Sequence, residues 1–354
     1  MKNMIHLAIA AAILFACKPE PTPPPPTPGI KYAGGVFITN EGPFTNGSGS
    51  LSFYNRTTKE VENNIFQTAN GYPVGSILQS VFSYQATNRV YLVVNNSQKV
   101  IVANLNTMKE VAEITGFSSP RYFTTVSSQK AYVTDWVSNT VKVVNLQTNA
   151  IDKSIPTGQG PDQMLVYGSN ILIANTGGFG IDSTLTAINT FTDAVENTLQ
   201  VGHSPNSMLV DANGQLWVLC GGINDFNDPT NNTPGKLIKI DLATFSVSNV
   251  YTFPNIVDHP VGLTRNNAGT LLYWRNNNYA GDIYEMNISA PSLPTSPKIS
   301  GTFYTMAIDP ASDEIYATDA LDFQQDGIMY RYSNAGALID SKGVGVIPGG
   351  FSFN

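Results

Sequence analysis

The chain has 354 residues, of which 13% are charged, with a formal net charge of −7 and an isoelectric point near 4.9. That length leaves open one large domain or two smaller ones. The acidic balance, with no basic cluster anywhere, excludes nucleic acid as a partner, because phosphates call for grouped Lys and Arg. Abundant Asn, Thr, Ser, Gly and aromatic residues over so little charge favour an all-β protein outside the cytoplasm.

Met1 to Cys17 reads as a targeting segment. Lys2 supplies a positive start, and Leu7 to Phe15 an apolar stretch too short to span a bilayer comfortably. The run Leu14-Phe15-Ala16-Cys17 resembles the bacterial lipobox, which implies cleavage after residue 16 and a lipid on the Cys17 thiol. Residues 17–31 would then be the lipidated Cys17 and a proline-dominated, semi-rigid tether. Lys18 after the cysteine is compatible with an outer-membrane or cell-surface location, anchored by lipid and facing away from the cytoplasm. With Cys17 so used, Cys220 is alone and no intrachain disulfide can form. Its place after Leu216-Trp217-Val218-Leu219 predicts a buried, inert thiol.

From residue 32 onward, short β-branched and aromatic runs alternate with Gly, Asn and Pro clusters, the pattern of antiparallel strands joined by tight loops. The clearest stretch is Ala131 to Val166. A run ending at Asp135 leads through Val137-Ser138-Asn139 to a second over Thr140 to Leu146. A turn at Gln147-Thr148-Asn149 precedes a third run, Ala150 to Ile155. The loop Gly158-Gln159-Gly160-Pro161 then introduces a fourth, Gln163 to Val166. None has the length or the 3.6-residue period of a helix, and the stretch reads as a four-stranded meander.

The first of these runs recurs seven times along the chain, beginning at Gly35, Val90, Ala131, Ile171, Leu216, Leu271 and Ile315. Its partner recurs equally often, from Ser50–Tyr54 to Gly327–Tyr332. Repeats of roughly 40 to 56 residues, each of four strands, have the period of a β-propeller, so residues 32–354 are expected to form seven blades. Interior blades begin after Ser119-Pro120, Gly160-Pro161, Ser204-Pro205 and His259-Pro260. The chain starts without such a strand, since Tyr32 leads straight into Gly35-Val36-Phe37, and it ends with a spare one, Ile347 to Phe353. Ring closure follows as the expectation, the last strand completing the first blade and covering an exposed sheet edge.

The runs Tyr132-Val133-Thr134-Asp135, Val141-Lys142-Val143-Val144-Asn145-Leu146 and Pro156-Thr157-Gly158-Gln159-Gly160-Pro161 resemble those of YncE-like and surface-layer-type seven-bladed propellers. With the lipobox and proline tether, the chain is similar to propeller lipoproteins of Bacteroidota. The resemblance covers residues 32–354 and is specific for fold, since propellers host many activities. A subset of those lipoproteins captures cobalamin at the cell surface and passes it to a TonB-dependent outer-membrane transporter. The resemblance thereby implies a candidate ligand and partner.

In such blades the loops entering the first strand and those joining second to third open on one face. The second-to-third loops pair amides or carboxylates with aromatics: Phe44 after Asn40 and Glu41, Asp135 with Trp136, Asn175 with Phe179, Asn224 and Asp225 with Phe226, Asn276 with Tyr279, and Asp319 and Asp322 with Phe323. The entering loops add Tyr72, Arg121, Tyr122, Asp162, Gln163, His203, Asn206, His259 and Tyr304. Asn and Asp at strand ends commonly close Asx turns, but aromatics at loop tips point to a contact surface. Ring walls with amides between them suit a large, flat, neutral ligand edged with amides or hydroxyls, a corrin or an oligosaccharide, and suit a protein partner nearly as well. Catalysis has less support. His203 and His259 could form a pair as in lyase or hydrolase propellers, but no nucleophile elbow or metal-spaced His cluster accompanies them. No cofactor or resident metal is expected. Asn224 to Asp228, in a long fifth repeat, is oxygen-rich enough for Ca²⁺ but lacks the spacing of a calcium loop; a lid or docking loop is the other reading.

Overall fold

The structure is a computed structural model that describes residues 31–44, 47–277 and 279–354. The targeting segment, Cys17 and the proline-rich tether lie outside the described residues. Seven four-stranded antiparallel sheets follow one another around a β-propeller. The third blade, for example, runs from Pro120–Thr125 innermost through Lys130–Asp135 and Thr140–Asn145 to Ala150–Pro156 outermost. The meander expected over residues 131–166 therefore straddles two blades. Pro161–Tyr167 pairs with Asn170–Asn175 and opens the fourth. Gly160 takes a left-handed φ of +57°, which turns the chain inward between the two sheets.

The first blade is closed as expected. Its innermost strand is Pro348–Phe353, paired antiparallel with Gly35–Asn40 in the register Val36–Phe353, Ile38–Phe351 and Thr39–Gly350. Thr318 Oγ1 donates to the Pro348 carbonyl at 2.6 Å, which also ties this strand to the seventh blade.

Burial follows position in the blade. The second strands are covered on both faces by neighbouring sheets, so Gly35–Asn40 and Leu216–Cys220 are buried throughout and read as near-continuous apolar runs. The outer strands face solvent, as Ala194–Gln200 does almost entirely. Seams between blades are filled by rings and aliphatics. Tyr91 of the second blade stacks on Phe123 of the third with centroids 4.1 Å apart, and Tyr316 of the seventh meets Phe353 of the first at 5.4 Å. Cys220 is buried, and burial pushes its thiol up to about 12.

One hairpin design joins third to outer strand in six blades. Asn55, Asn104, Asn145, Asn189, Asp241 and Asn287 each accept, on a side-chain oxygen, the N–H two residues ahead at 2.8 to 2.9 Å. In five of them the residue four ahead (Lys59, Met108, Asn149, Asp193, Phe245) takes a left-handed φ, the turn that returns a strand beside its partner.

A short helix, Ile65–Asn70, is an element that the strand periodicity does not announce. The outer strand of the first blade, Glu60–Glu62, has only three residues. Ile65 and Phe66 fill the space it leaves, packing into the core shared with Phe53 and Leu78.

Candidate functional site

A recurrent backbone bond gathers the entering loops and the second-to-third loops on one face. The N–H just past the second strand donates to the carbonyl just before the innermost strand: Glu41 to Ile347, Asn95 to Ile77, Trp136 to Ser119, Thr176 to Gly160 and Gly221 to Ser204, all at 2.8 to 3.0 Å. In four of these pairs the acceptor residue has a left-handed φ (Ile77, Gly160, Ser204, Ile347). For the two β-branched isoleucines that conformation is uncommon and costly, so the surrounding bonds must hold it.

On this face the central channel opens through a polar mouth of about 230 Å³. Arg121 and Tyr122 reach it from the innermost strand of the third blade, and Asp162 and Gln163 from that of the fourth. Glu41, Asn206, Arg275 and Tyr304 arrive from the first, fifth, sixth and seventh blades. Below lies a shaft of about 430 Å³, with Gln79, Thr264 and Gly350 on its walls.

Charge at the mouth is balanced, two guanidiniums (Arg121, Arg275) against two carboxylates (Glu41, Asp162). Arg121 Nη2 lies 3.4 Å from Asp162 Oδ2, its Nη1 donates to Gln79 Oε1, and its guanidinium carbon sits 4.8 Å from the Trp136 ring centroid. Tyr304 donates its hydroxyl to Glu41 Oε1 at 3.2 Å, and Arg275 donates to the Asn277 carbonyl. Burial pushes the Glu41 and Asp162 carboxyls up, opposed in each by the Arg121 charge. Burial also raises the Tyr122 hydroxyl to about 12 and lowers Arg275 to about 10. Asp162 Oδ1 and Arg121 Nε have no hydrogen-bond partner among the described residues, so the network is unsaturated on both its acceptor and its donor side. With its charges cancelled, such a mouth offers donors and acceptors to a neutral polar group.

Aromatic rings flank the mouth in pairs: Trp136 with Phe179 at 5.2 Å, Phe226 with Tyr279 at 6.0 Å, and Tyr304 with Phe323 at 5.4 Å. A groove of about 790 Å³ runs between the fourth and fifth blades, walled by Phe179, Ile181 and Phe226 and floored by Asn206 and His259. It shares Asn206 and Val261 with the mouth. A smaller recess of about 260 Å³ between Tyr279 and Phe323 shares Tyr304 with it. Phe179 is 91% exposed, Phe226 67% and Tyr279 54%, so these rings form surface and not core.

Arg121, Tyr122, Asp162, Gln163, Asn206 and Tyr304 thus meet at the mouth, and Trp136, Phe179, Phe226, Tyr279 and Phe323 surround it. Phe44 is 75% exposed but lines none of the cavities described here. Three expected residues serve elsewhere, and a fourth, His259, lines the groove floor while fixed by a backbone bond. Asp135 is fully buried, its carboxylate accepting the N–H groups of Ser118 and Ser119 at 2.7 and 2.9 Å, so it caps a loop instead of facing a ligand. Tyr72 donates to Glu110 on the outer strand of the second blade and stands on that blade's flank. Asn276 turns sideways to Asp258 at 3.0 Å. His259 is buried with Nδ1 2.8 Å from the Gly221 carbonyl, a loop-fixing role, while His203 is exposed. Asp225 is likewise engaged locally: Asn231, then Asp228 and Asn227, hydrogen-bond its carboxylate and hold it below the usual range.

Arg275 was not among the expected ligand-contacting residues, and Glu41 was singled out only as a loop neighbour of Phe44. The one signal for Arg275 is a charge ending the apolar run Leu271–Arg275.

A family model described as "Domain of unknown function (DUF5074)" matches residues 34–341. No curated protein matches the sequence. Among solved structures, the chain is similar to a functionally unknown protein from Desulfotomaculum acetoxidans, with 13% identity, a TM-score of 0.67 and coverage of 91% of this chain and 99% of that one. It is similar to a quinonprotein alcohol dehydrogenase-like protein from Bacteroides thetaiotaomicron, with 15% identity, a TM-score of 0.65 and coverage of 91% and 78%. Hydrazine synthase from Kuenenia stuttgartiensis matches with 14% identity, a TM-score of 0.61 and coverage of 76% and 86%. At such identities the likeness speaks to the propeller fold.

Proposed function

The chain belongs to the DUF5074 family, and for this member we propose a YncE-like, lipid-anchored propeller of the cell envelope that binds a ligand without transforming it. The ligand is a large, flat molecule edged with amides or hydroxyls, cobalamin being the leading candidate, captured for a TonB-dependent outer-membrane transporter. The observation that carries this reading is one face where exposed rings from three blades, Phe179, Phe226 and Tyr279, surround a charge-balanced polar mouth. Rings stack on the faces of such a ligand, while Arg121, Gln163 and Asn206 meet its polar edge. Anchoring rests on the Leu14 to Cys17 run, and the tether would hold the binding face clear of the membrane.

Titration calorimetry with cyanocobalamin tests the ligand. Saturable binding is expected, and the double substitution Trp136→Ala, Phe226→Ala should weaken it by about 2–4 kcal/mol with little change in melting. Absence of binding would discard cobalamin, and a large melting loss would make those rings core. For the anchor, Cys17→Ser should abolish detergent-dependent membrane association, because a hydroxyl cannot form the thioether that carries the lipid. A variant that stays in the membrane as mature protein would discard the lipobox.

A further inference from the structure

A second cavity, of about 550 Å³, lies at the seam between the fifth and sixth blades and shares no lining residue with the mouth or its grooves. Four aromatic residues build it. Tyr251 and Phe253 come from the end of the outer strand of the fifth blade, and Trp274 and Tyr284 from the second and third strands of the sixth. Trp274 lies parallel to Tyr284, with 6.0 Å between centroids and 7° between planes, and edge-on to Phe253 at 5.9 Å and 88°. Leu293 and Pro294 also line it, and the Tyr251 hydroxyl donates across the seam to the Ala290 carbonyl at 3.1 Å. The rings are thus held in fixed positions by the two blades.

The polar side of this cavity carries one sign of charge. Among the described lining residues Asp258 is the single ionisable group other than the tyrosines. Two neutral amides hold its carboxylate: Asn276 Nδ2 donates to Oδ1 at 3.0 Å and Asn255 Nδ2 to Oδ2 at 2.9 Å. No ion pair engages it among the described residues, so its negative charge is oriented but not neutralised. The field reaches the wall: burial, then Asp282, then Asp258 push the Tyr284 hydroxyl up.

We propose that this seam cavity is a binding site for an organic cation, an ammonium group carrying apolar substituents. The substituents pack on Tyr251, Phe253 and Tyr284, the electron-rich ring faces attract the charge, and Asp258 supplies the counter-ion. A neutral apolar molecule would leave the Asp258 charge unanswered, and an anion would be repelled by it. The volume falls within the range of small-molecule sites. This site stands independently of the ligand at the mouth.

The test is titration of the intact protein with choline and with 3,3-dimethylbutan-1-ol, its neutral carbon isostere, followed by intrinsic tryptophan fluorescence and calorimetry. Choline is expected to saturate in the millimolar range, and the isostere to bind about tenfold more weakly. Asp258→Asn, which keeps the shape and an acceptor for Asn276, should weaken choline about tenfold and abolish the preference over the isostere. Tyr284→Leu should weaken choline without restoring the isostere, read on protein whose circular dichroism matches the wild type. Phe226→Ala, on the other cavity, should change neither. Equal affinity for choline and the isostere, choline binding indifferent to Asp258→Asn, or no saturation by choline would each overturn the assignment.

Discussion

Asp211 does three jobs with one carboxylate. It accepts the buried Trp217 indole N–H at 2.8 Å on one oxygen, and the Asn213 and Gln215 N–H groups at 2.8 and 2.9 Å on the other. Asp211→Ala leaves those donors without their acceptor, and an expected loss of about 1–3 kcal/mol should appear in urea melts. Glu41 illustrates the opposite cost. Its folded pKa lies above the ordinary value because burial disfavours the anion. Ionising it in the folded protein therefore costs stability at neutral pH, and that cost is relieved as pH falls through the raised folded pKa towards the unfolded one. Glu41→Gln should accordingly be more stable than wild type at neutral pH, with the difference closing in the ordinary carboxylate range. Urea melts across that interval measure it, and a variant equally destabilised at every pH would show that the carboxylate acts through hydrogen bonds alone.

At the level of strands and turns, much of the architecture was legible from local chemistry. The second strands announced themselves because burial on both faces demands unbroken apolar runs, and the hairpins because Asn or Asp closes an Asx turn with no help from elsewhere. The helix Ile65–Asn70 was not legible, since six residues leave no room for a helical period and its role depends on how short Glu60–Glu62 is. The site was legible in part for the same reason. Loop-tip rings such as Phe179 and Phe226 stand out wherever they occur, but Asp135 and Asp162 look alike in sequence. Only packing makes one a buried loop cap and the other a wall of the mouth. Arg275 reads as a strand end until five other blades supply its surroundings. The closing strand can be tested directly. Deleting residues 347–354 removes the ladder to Gly35–Asn40, the Thr318 bond and the contacts of Phe351 and Phe353 with Tyr316. The expected loss, on the order of 5 kcal/mol or more, matches a typical domain's whole margin, so the truncated chain should aggregate or melt far lower. A melting temperature within a few degrees of the full chain would contradict closure by this strand.

Taken whole, the ring closes inside the first blade, where Pro348–Phe353 and Gly35–Asn40 meet through hydrogen bonds alone, and buried charge gathers beside it at the seam with the seventh blade. Arg331 is 5% exposed and forks to Asp340 at 3.2 and 3.1 Å and to Glu314 at 3.2 and 3.0 Å; Tyr54 of the first blade donates to the same Asp340 at 2.8 Å. Burial would raise the Asp340 carboxyl, but the bonds from Arg331 and Tyr54 outweigh it and hold it below the ordinary range. A depressed folded pKa means stabilisation that is complete above the unfolded pKa and lost as pH falls through the folded one. Arg331→Leu should strand two carboxylates, cost about 3–5 kcal/mol at neutral pH and flatten the acid limb of the stability profile, measured by melting against pH. The closure also sets a timetable. Residues 348–353 leave the ribosome more than three hundred residues after their partners at 35–40, so six blades can assemble during synthesis while the first waits, lacking its innermost strand. Completion is a single late event, and a chain interrupted anywhere before it remains an open arc with a bare edge, recognisable to any protease or chaperone that reads unpaired strands.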